Sequence, residues 1–283
     1  MIPTTARLSD AFWRAAAYCL HPRVIALSLA PLLIAAVSAF ALGFYFWEPA
    51  VDAVRATLGN WHLIDMLLGW LDYIGAAGFR SVMAPILVLA LALPVIVVLS
   101  LLLVALLMTP ALVRMVAARR FAGLECKRGA TLWQSVGWSL WHALLALLAL
   151  VVSLPFWLIP PLALIVPPLI WGWLGYKVFG FDVLADHASV AERRRLMREH
   201  KLPLLLMGAI TGYLGAAPAA IWAIGVIAVA MAPFLILVSI WLYTLVFAFS
   251  TLWFAHYLLA ALQAQRARQT SVATSVVLEQ IPI

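Results

Sequence analysis

The sequence predicts an all-α membrane protein with two long transmembrane helices, two proline-broken helical hairpins and amphipathic interfacial helices. Three observations carry this. First, Leu202–Gln265 runs sixty-four residues without one Asp, Glu, Lys or Arg, and Val24–Trp47, Ser81–Val113 and Gly129–Tyr176 are equally free of them. Second, 66% of residues are hydrophobic and 10% charged, with mean hydropathy +1.08; soluble domains carry roughly a quarter charged residues. Third, prolines punctuate the later apolar stretches at Pro155, Pro160-Pro161, Pro167-Pro168, Pro218 and Pro233. About twenty apolar residues span the hydrocarbon core as a helix, so the chain crosses the bilayer several times.

Residues 1–23 place Phe12, Trp13, Ala16, Ala17 and Leu20 on one helical face, with Arg7 and Arg14 free to snorkel, as in a helix lying on the membrane. Ala39-Phe40-Ala41 has the small-x-small form of a cleavage site. The apolar run from Val24 is longer than a signal h-region, however, so it reads as a retained span. That span, 24–47, closes on Phe44-Tyr45-Phe46-Trp47, a cluster suited to headgroup level. Segment 48–80 carries Glu48, Asp52, Asp65 and Asp72 against Arg55 and Arg80. Its Trp61, Ile64, Leu67, Leu68 and Leu71 recur at helical spacing, which predicts a second amphipathic helix on the opposite membrane face.

The second long span, 81–120, is uncharged to Val113. That uncharged part is about 50 Å long if fully helical, so tilt or a kink at Pro94 must absorb the excess. The first hairpin, 133–181, rises over 133–158 and returns over 162–180, interrupted at Pro155, Pro160-Pro161 and Pro167-Pro168. The residues leave open whether its turn stays within the bilayer or the two legs cross fully. The second hairpin, 202–262, rises over Leu202–Ala217, breaks at Pro218 and Pro233, and descends over Phe234–Leu262. Trp173-Leu174, Val178-Phe179 and Phe181 match Trp241-Leu242, Val246-Phe247 and Phe249 at a constant offset of sixty-eight, either a weak parallel repeat or a coincidence among aromatic membrane helices. One polytopic membrane domain thus covers 1–265. The tail, 266–283, has no helix signal from Gln269 and reads as disordered or extended.

The net charge of +7 comes from short basic blocks. They are Arg114, Arg119, Arg120, Lys127 and Arg128; Arg193, Arg194, Arg195, Arg198 and Lys201; and Arg266 and Arg268. The positive-inside rule puts these blocks and both termini in the cytoplasm, where they would meet anionic lipids, and the 48–80 loop outside. No basic residue sits in a nucleic-acid reading motif. Cys19 and Cys126 lie far apart on the side read as cytoplasmic, which makes them free thiols rather than a disulfide or metal site.

No nucleophile motif, phosphate-binding glycine loop or intramembrane carboxylate pair is present, so the chain reads as no enzyme and requires no cofactor. His142 and His256 read as satisfied interfacial histidines. Asp182, Asp186 and His187 read as a turn and helix start rather than a metal cluster. With no acid at depth, nothing there attracts a cation. A helix starting inside the membrane after Pro160-Pro161 or Pro218 would aim free N–H groups at the midplane and favour an anion. At His21-Pro22-Arg23, Pro22 suits the first helical position and Arg23 adds a guanidinium to the free N–H groups, making a site for a small tetrahedral oxyanion. A lipid-phosphate-binding, topology-setting arginine is the other reading of Arg23.

Several strings resemble the etoposide-induced-protein superfamily, whose bacterial branch includes the CysZ-type sulfate permeases. They are Pro160-Pro161-Leu162, Pro167-Pro168-Leu169-Ile170-Trp171-Gly172-Trp173, Phe181-Asp182-Val183-Leu184-Ala185-Asp186-His187-Ala188 and Glu192-Arg193-Arg194. Trp253-Phe254-Ala255-His256-Tyr257-Leu258, and His21-Pro22-Arg23 followed by Pro31-Leu32, fit as well. The resemblance covers most of residues 10–265. It implies two long transmembrane helices with two hairpins that only partly penetrate, a bacterial inner membrane location, homo-oligomerisation and passive sulfate permeation. It also implies a sulfate site at the entrance to the first long helix, where Arg23 is the matching position. This chain has Val24 after Arg23 where a basic pair is typical, and Ala35 where an Asn is often found. Two functions follow as expectations: an anion permease or channel for sulfate, or a non-transporting membrane organiser whose basic loops bind lipid or partners.

Overall fold

A computed structural model describes residues 4–59, 66, 83–88, 107–217 and 231–279. Among the described residues every regular element is helical and no strand occurs. The helices are α1 (Thr4–Cys19), α2 (Pro22–Gly59), α3 (107–120), α4 (Leu132–Ser153), α5 (Pro160–Ala185), α6 (Val190–Glu199), α7 (Lys201–Ala216) and α8 (Ala232–Glu279). A short helical stretch covers 83–88. Among the described residues four segments are long and apolar enough to cross a membrane: Pro22–Thr57, Trp133–Leu158, Pro160–Ala185 and Val238–Ser271. At 1.5 Å per residue the shorter ones, of 26 residues, reach about 39 Å, beyond the roughly 30 Å of hydrocarbon. The chain is an all-α, multi-pass membrane protein.

The chain divides into two compact units, residues 1–29 with 106–283, and residues 30–105. In the smaller unit α2 does not stop at the aromatic cluster but continues to Gly59. Residues 50–58 are mostly good helix formers, and Arg55 pairs with Asp52 at 3.2 Å one turn away. Val51 is buried with Ala84 and Val88, and Trp47, Ala50 and Val54 pack around them. The amphipathic helix expected over Trp61–Leu71 and the kink expected at Pro94 lie outside the described residues.

The larger unit is built around α8. Of its most apolar window 72% is buried, against 13–17% for the other three candidate spans. Leu252, Phe254, Ala255, Leu258, Leu259 and Leu262 are wholly enclosed. A helix that is apolar all round has no face to give to water and serves as a central post. α1 docks on it: Ala11 and Ala15 are buried, Phe12 lies edge-on to Phe249 and Trp253, and Trp253 Nε1 donates to the Leu8 carbonyl at 3.2 Å. The face read as membrane-lying is therefore divided, with Phe12 turned toward α8 and Trp13 and Leu20 outward.

Over residues 132–185 two helices are joined by a short turn. Thr131 caps α4 reciprocally with Gln134, and the chain turns through a short 3-10 helix, Leu154–Leu158, before α5. Pro167 and Pro168 do not interrupt the return leg, a correction to the sequence reading: α5 runs through both. Proline's fixed φ is helical, and the hydrogen bonds it forfeits are tolerable where a neighbouring helix packs closely. That neighbour is α7. Gly208-Ala209-Ile210-Thr211-Gly212 places two glycines one turn apart, and a Cβ added at Gly172 would stand 2.6 Å from the Gly208 carbonyl oxygen. A side chain at Gly212 would strike the Pro168 carbonyl. α5 and α7 are thus joined backbone to backbone, as in small-residue seams of membrane helices.

The tail also departs from expectation. α8 is helical through Glu279, and Thr270 and Ser271 donate to the Arg266 and Arg268 carbonyls at 3.1 and 2.8 Å. No Gly or Pro interrupts residues 262–279, and a helix already nucleated extends at little cost without an apolar stripe.

Candidate anion site at the α1–α2 turn

α1 ends at Cys19, and Leu20 and His21 turn the chain into α2. Pro22 occupies the first helical position, where its missing N–H costs nothing. The next donors are not free, which corrects the sequence reading. Val24 and Ile25 N–H both donate to the His21 carbonyl, at 2.9 and 3.1 Å, and Arg23 N–H donates to His21 Nδ1 at 3.2 Å. What this turn offers is side chains. Arg23 is exposed and has no carboxylate partner among the described residues. Arg119, at the end of α3, brings Nη2 within 3.0 Å of His21 Nε2 and lies over the Tyr18 ring at 6.0 Å. The nearby carboxylate, Asp10, is engaged by Arg14 at 2.9 Å and Arg120 at 3.1 Å. Arg14's hydrogen bond, aided by Arg120, holds the Asp10 carboxyl below the usual range.

Two interactions fix the backbone that presents Arg23. Val24 is fully buried, and so is Ser28, whose Oγ donates to the Ile25 carbonyl at 2.8 Å and accepts from Trp241 Nε1 at 3.1 Å. Sequence reasoning missed both Arg119 and Ser28. They meet His21 and Trp241 across 98 and 213 positions, and no local pattern signals such pairs.

The hairpin turn fares differently. α5 does begin at Pro160, but Pro160 and Pro161 carry no N–H, and the first two donors, Leu162 and Ala163, both bond the Ile159 carbonyl. No free N–H groups remain there for an anion. The tip is exposed and apolar, Leu158 reaching 87% exposure. The anion-attracting helix start expected at Pro160-Pro161 is therefore absent, and Pro218 lies outside the described residues.

A second polar cluster secures the basic loop 121–131. Glu192 accepts from Lys127 Nζ at 3.1 Å, from Arg266 Nε and Nη2 at 3.0 Å each, and from Ser189 N–H at 2.8 Å. Arg266 also donates to the carbonyls of Glu125 and His187. Arg128 takes a left-handed φ of 43°, and its N–H reaches the Asp186 carbonyl at 3.0 Å. Arg193 is buried over Phe181 at 4.2 Å and donates to the Gly129 carbonyl, so the lipid-facing role read for the Arg193–Arg195 run does not extend to it. Arg266 and Lys127 together bring Glu192 down to about 2, the Arg266 hydrogen bond acting most strongly.

The remaining titratable groups are dispersed. Ser135 Oγ donates to Asp182, Arg114 pairs with Asp186 at 3.7 Å, and His142 Nδ1 lies 2.9 Å from the Trp138 carbonyl. Among the described residues no three His, Cys, Asp or Glu side chains come close enough to hold a metal.

The family model described as Sulfate transporter CysZ/Etoposide-induced protein 2.4 matches residues 11–225. The chain belongs to this family. The match spans the α1–α2 turn, Arg119 and the first hairpin, and ends before α8, so in this CysZ-family protein the whole central post lies beyond it. No curated protein and no solved structure matches the chain.

Proposed function

We propose that this CysZ-family protein is a permease or channel that passes sulfate, with Arg23 as the anion-binding side chain at the mouth of α2. One observation carries the reading: an exposed guanidinium at the start of a spanning helix, without a carboxylate partner among the described residues, beside a second arginine that likewise lacks one. Guanidinium forks match tetrahedral oxyanions, and Asp10, the nearby carboxylate among the described residues, is already engaged by Arg14 and Arg120. Among the described residues the electropositive character is supported by ionised side chains at the mouth and not by amide groups at the start of α5. The protein would act as a homo-oligomer in a bacterial inner membrane with both termini cytoplasmic, as the family resemblance and the basic loops imply. Sulfate flux into proteoliposomes tests this: Arg23→Ala should lower flux well below wild type, and equal flux in wild type, variant and empty vesicles would remove the proposal.

The alternative, a non-transporting organiser that binds anionic lipid, draws on Arg194 and Arg198, which are exposed without carboxylate partners among the described residues. It requires that charge reversal at these two positions abolish vesicle binding while sulfate permeability stays at background throughout.

A further inference from the structure

We infer that His21 and Arg119 complete the anion site with Arg23, so that one tetrahedral oxyanion is held by three side chains drawn from two separate parts of the chain. The inference rests on the transport reading for its biological ligand but on a separate observation for its geometry. A neutral imidazole has one acceptor nitrogen. His21 faces a donor at each: Arg23 N–H at 3.2 Å from Nδ1 and Arg119 Nη2 at 3.0 Å from Nε2. Whichever tautomer is present, one of these contacts sets donor against donor, and a doubly protonated ring makes both so. The imidazole and the Arg119 guanidinium thus meet as two donors in need of an acceptor, and the exposed side chain of Arg23 stands two residues along the chain from His21. The carboxylate that could relieve them, Asp10, is already shared by Arg14 and Arg120.

An oxyanion with at least two free oxygens resolves the conflict. One oxygen takes the imidazole N–H that lacks an acceptor, and others take the guanidinium forks of Arg119 and Arg23. The helix end itself adds nothing, because the Val24 and Ile25 N–H groups are already bonded to the His21 carbonyl. The Tyr18 ring lies 6.0 Å from the Arg119 guanidinium, within reach of a cation–π contact that favours the position beside His21. The same chemistry would recognise inorganic sulfate or the phosphomonoester headgroup of a lipid.

The test uses the full chain purified in an uncharged detergent, with radiolabelled sulfate and, separately, short-chain phosphatidic acid as probes. Arg119→Gln and Arg23→Gln should each weaken sulfate binding by about tenfold or more, the usual scale for one charge-assisted contact. Arg119→Lys should restore part of the loss, and His21→Ala should weaken binding less. Arg119 is exposed, so its variants are expected to keep the wild-type melting temperature, which is measured alongside. Loss with Arg23→Gln but not with Arg119→Gln overturns this inference and leaves the permease reading standing. Binding of phosphatidic acid but not sulfate, with the same three-residue dependence, upholds the site and overturns the permease reading. Sulfate binding indifferent to all three residues, or no binding of either probe, overturns both.

Discussion

Replacing Glu192 by Gln keeps its shape and its place in the cap of α6 but removes the charge that gathers Arg266 and Lys127. The carboxylate is 8% exposed and accepts four hydrogen bonds, three of them from cations. Its fall from an ordinary 4.5 to about 2 corresponds to about 3 kcal/mol of folding stability at neutral pH. The Lys127 share is smaller because that side chain is 42% exposed and water screens it. Glu192→Gln should therefore cost about 2–3 kcal/mol, and Glu192→Ala about 1 kcal/mol more through loss of the reciprocal cap. The sign follows from the depressed value. The contribution is present in full above pH 4.5 and drains away as pH falls through about 2, below which the carboxyl is protonated in folded and unfolded chains alike. Denaturation in detergent, followed by tryptophan fluorescence, measures it. At pH 7 the variant should unfold more readily than wild type, and the gap should narrow between pH 4.5 and pH 2.5. Identical curves at pH 7, or a gap that does not change on acidification, would refute the account of this junction.

Three further outcomes are expected. Gly208→Leu should destabilise the protein by about 3 kcal/mol or more, because its side chain meets the α5 backbone, whereas Gly215→Ala, with open space around it, should be neutral or gain up to about 1 kcal/mol; thermal melts compare them. Ser28→Ala should lower stability by about 1–2 kcal/mol by leaving Trp241 Nε1 without its acceptor, and a double-mutant cycle with Trp241→Phe should recover a coupling near 1 kcal/mol. Maleimide at pH 8, followed by mass spectrometry, should label exposed Cys126 well before Cys19, whose thiol burial raises to about 11.

Much of the architecture was legible because lipid imposes long charge-free stretches and prolines mark where helices start. The Val24–Trp47 stretch and the turn before Pro160 carry such local signals. Pro167-Pro168 misled because proline's φ is compatible with a helix, and only the packing of α7 reveals that the lost hydrogen bonds are tolerated. The Gly208–Gly212 pair was present as a small-residue repeat, yet nothing along the chain names the helix it meets. The tail misled for the opposite reason: it lacks an apolar stripe, but it grows from a helix already formed. At the candidate site Arg23 was legible from its place beside Pro22. Arg119 was not, since a basic loop predicts membrane sidedness and cannot say which arginine turns toward His21. The amide donors expected at Pro160-Pro161 failed on elementary covalent chemistry, because two successive imino acids supply none.

The glycine seam constrains how such a molecule can move. Two main chains in direct apposition have no flexible side-chain layer between them to shear, so the return leg of one hairpin and the rising leg of the next travel as a single plank. Any opening that admits a solute must come at other boundaries, where larger side chains interleave and can change rotamer without tearing the frame apart.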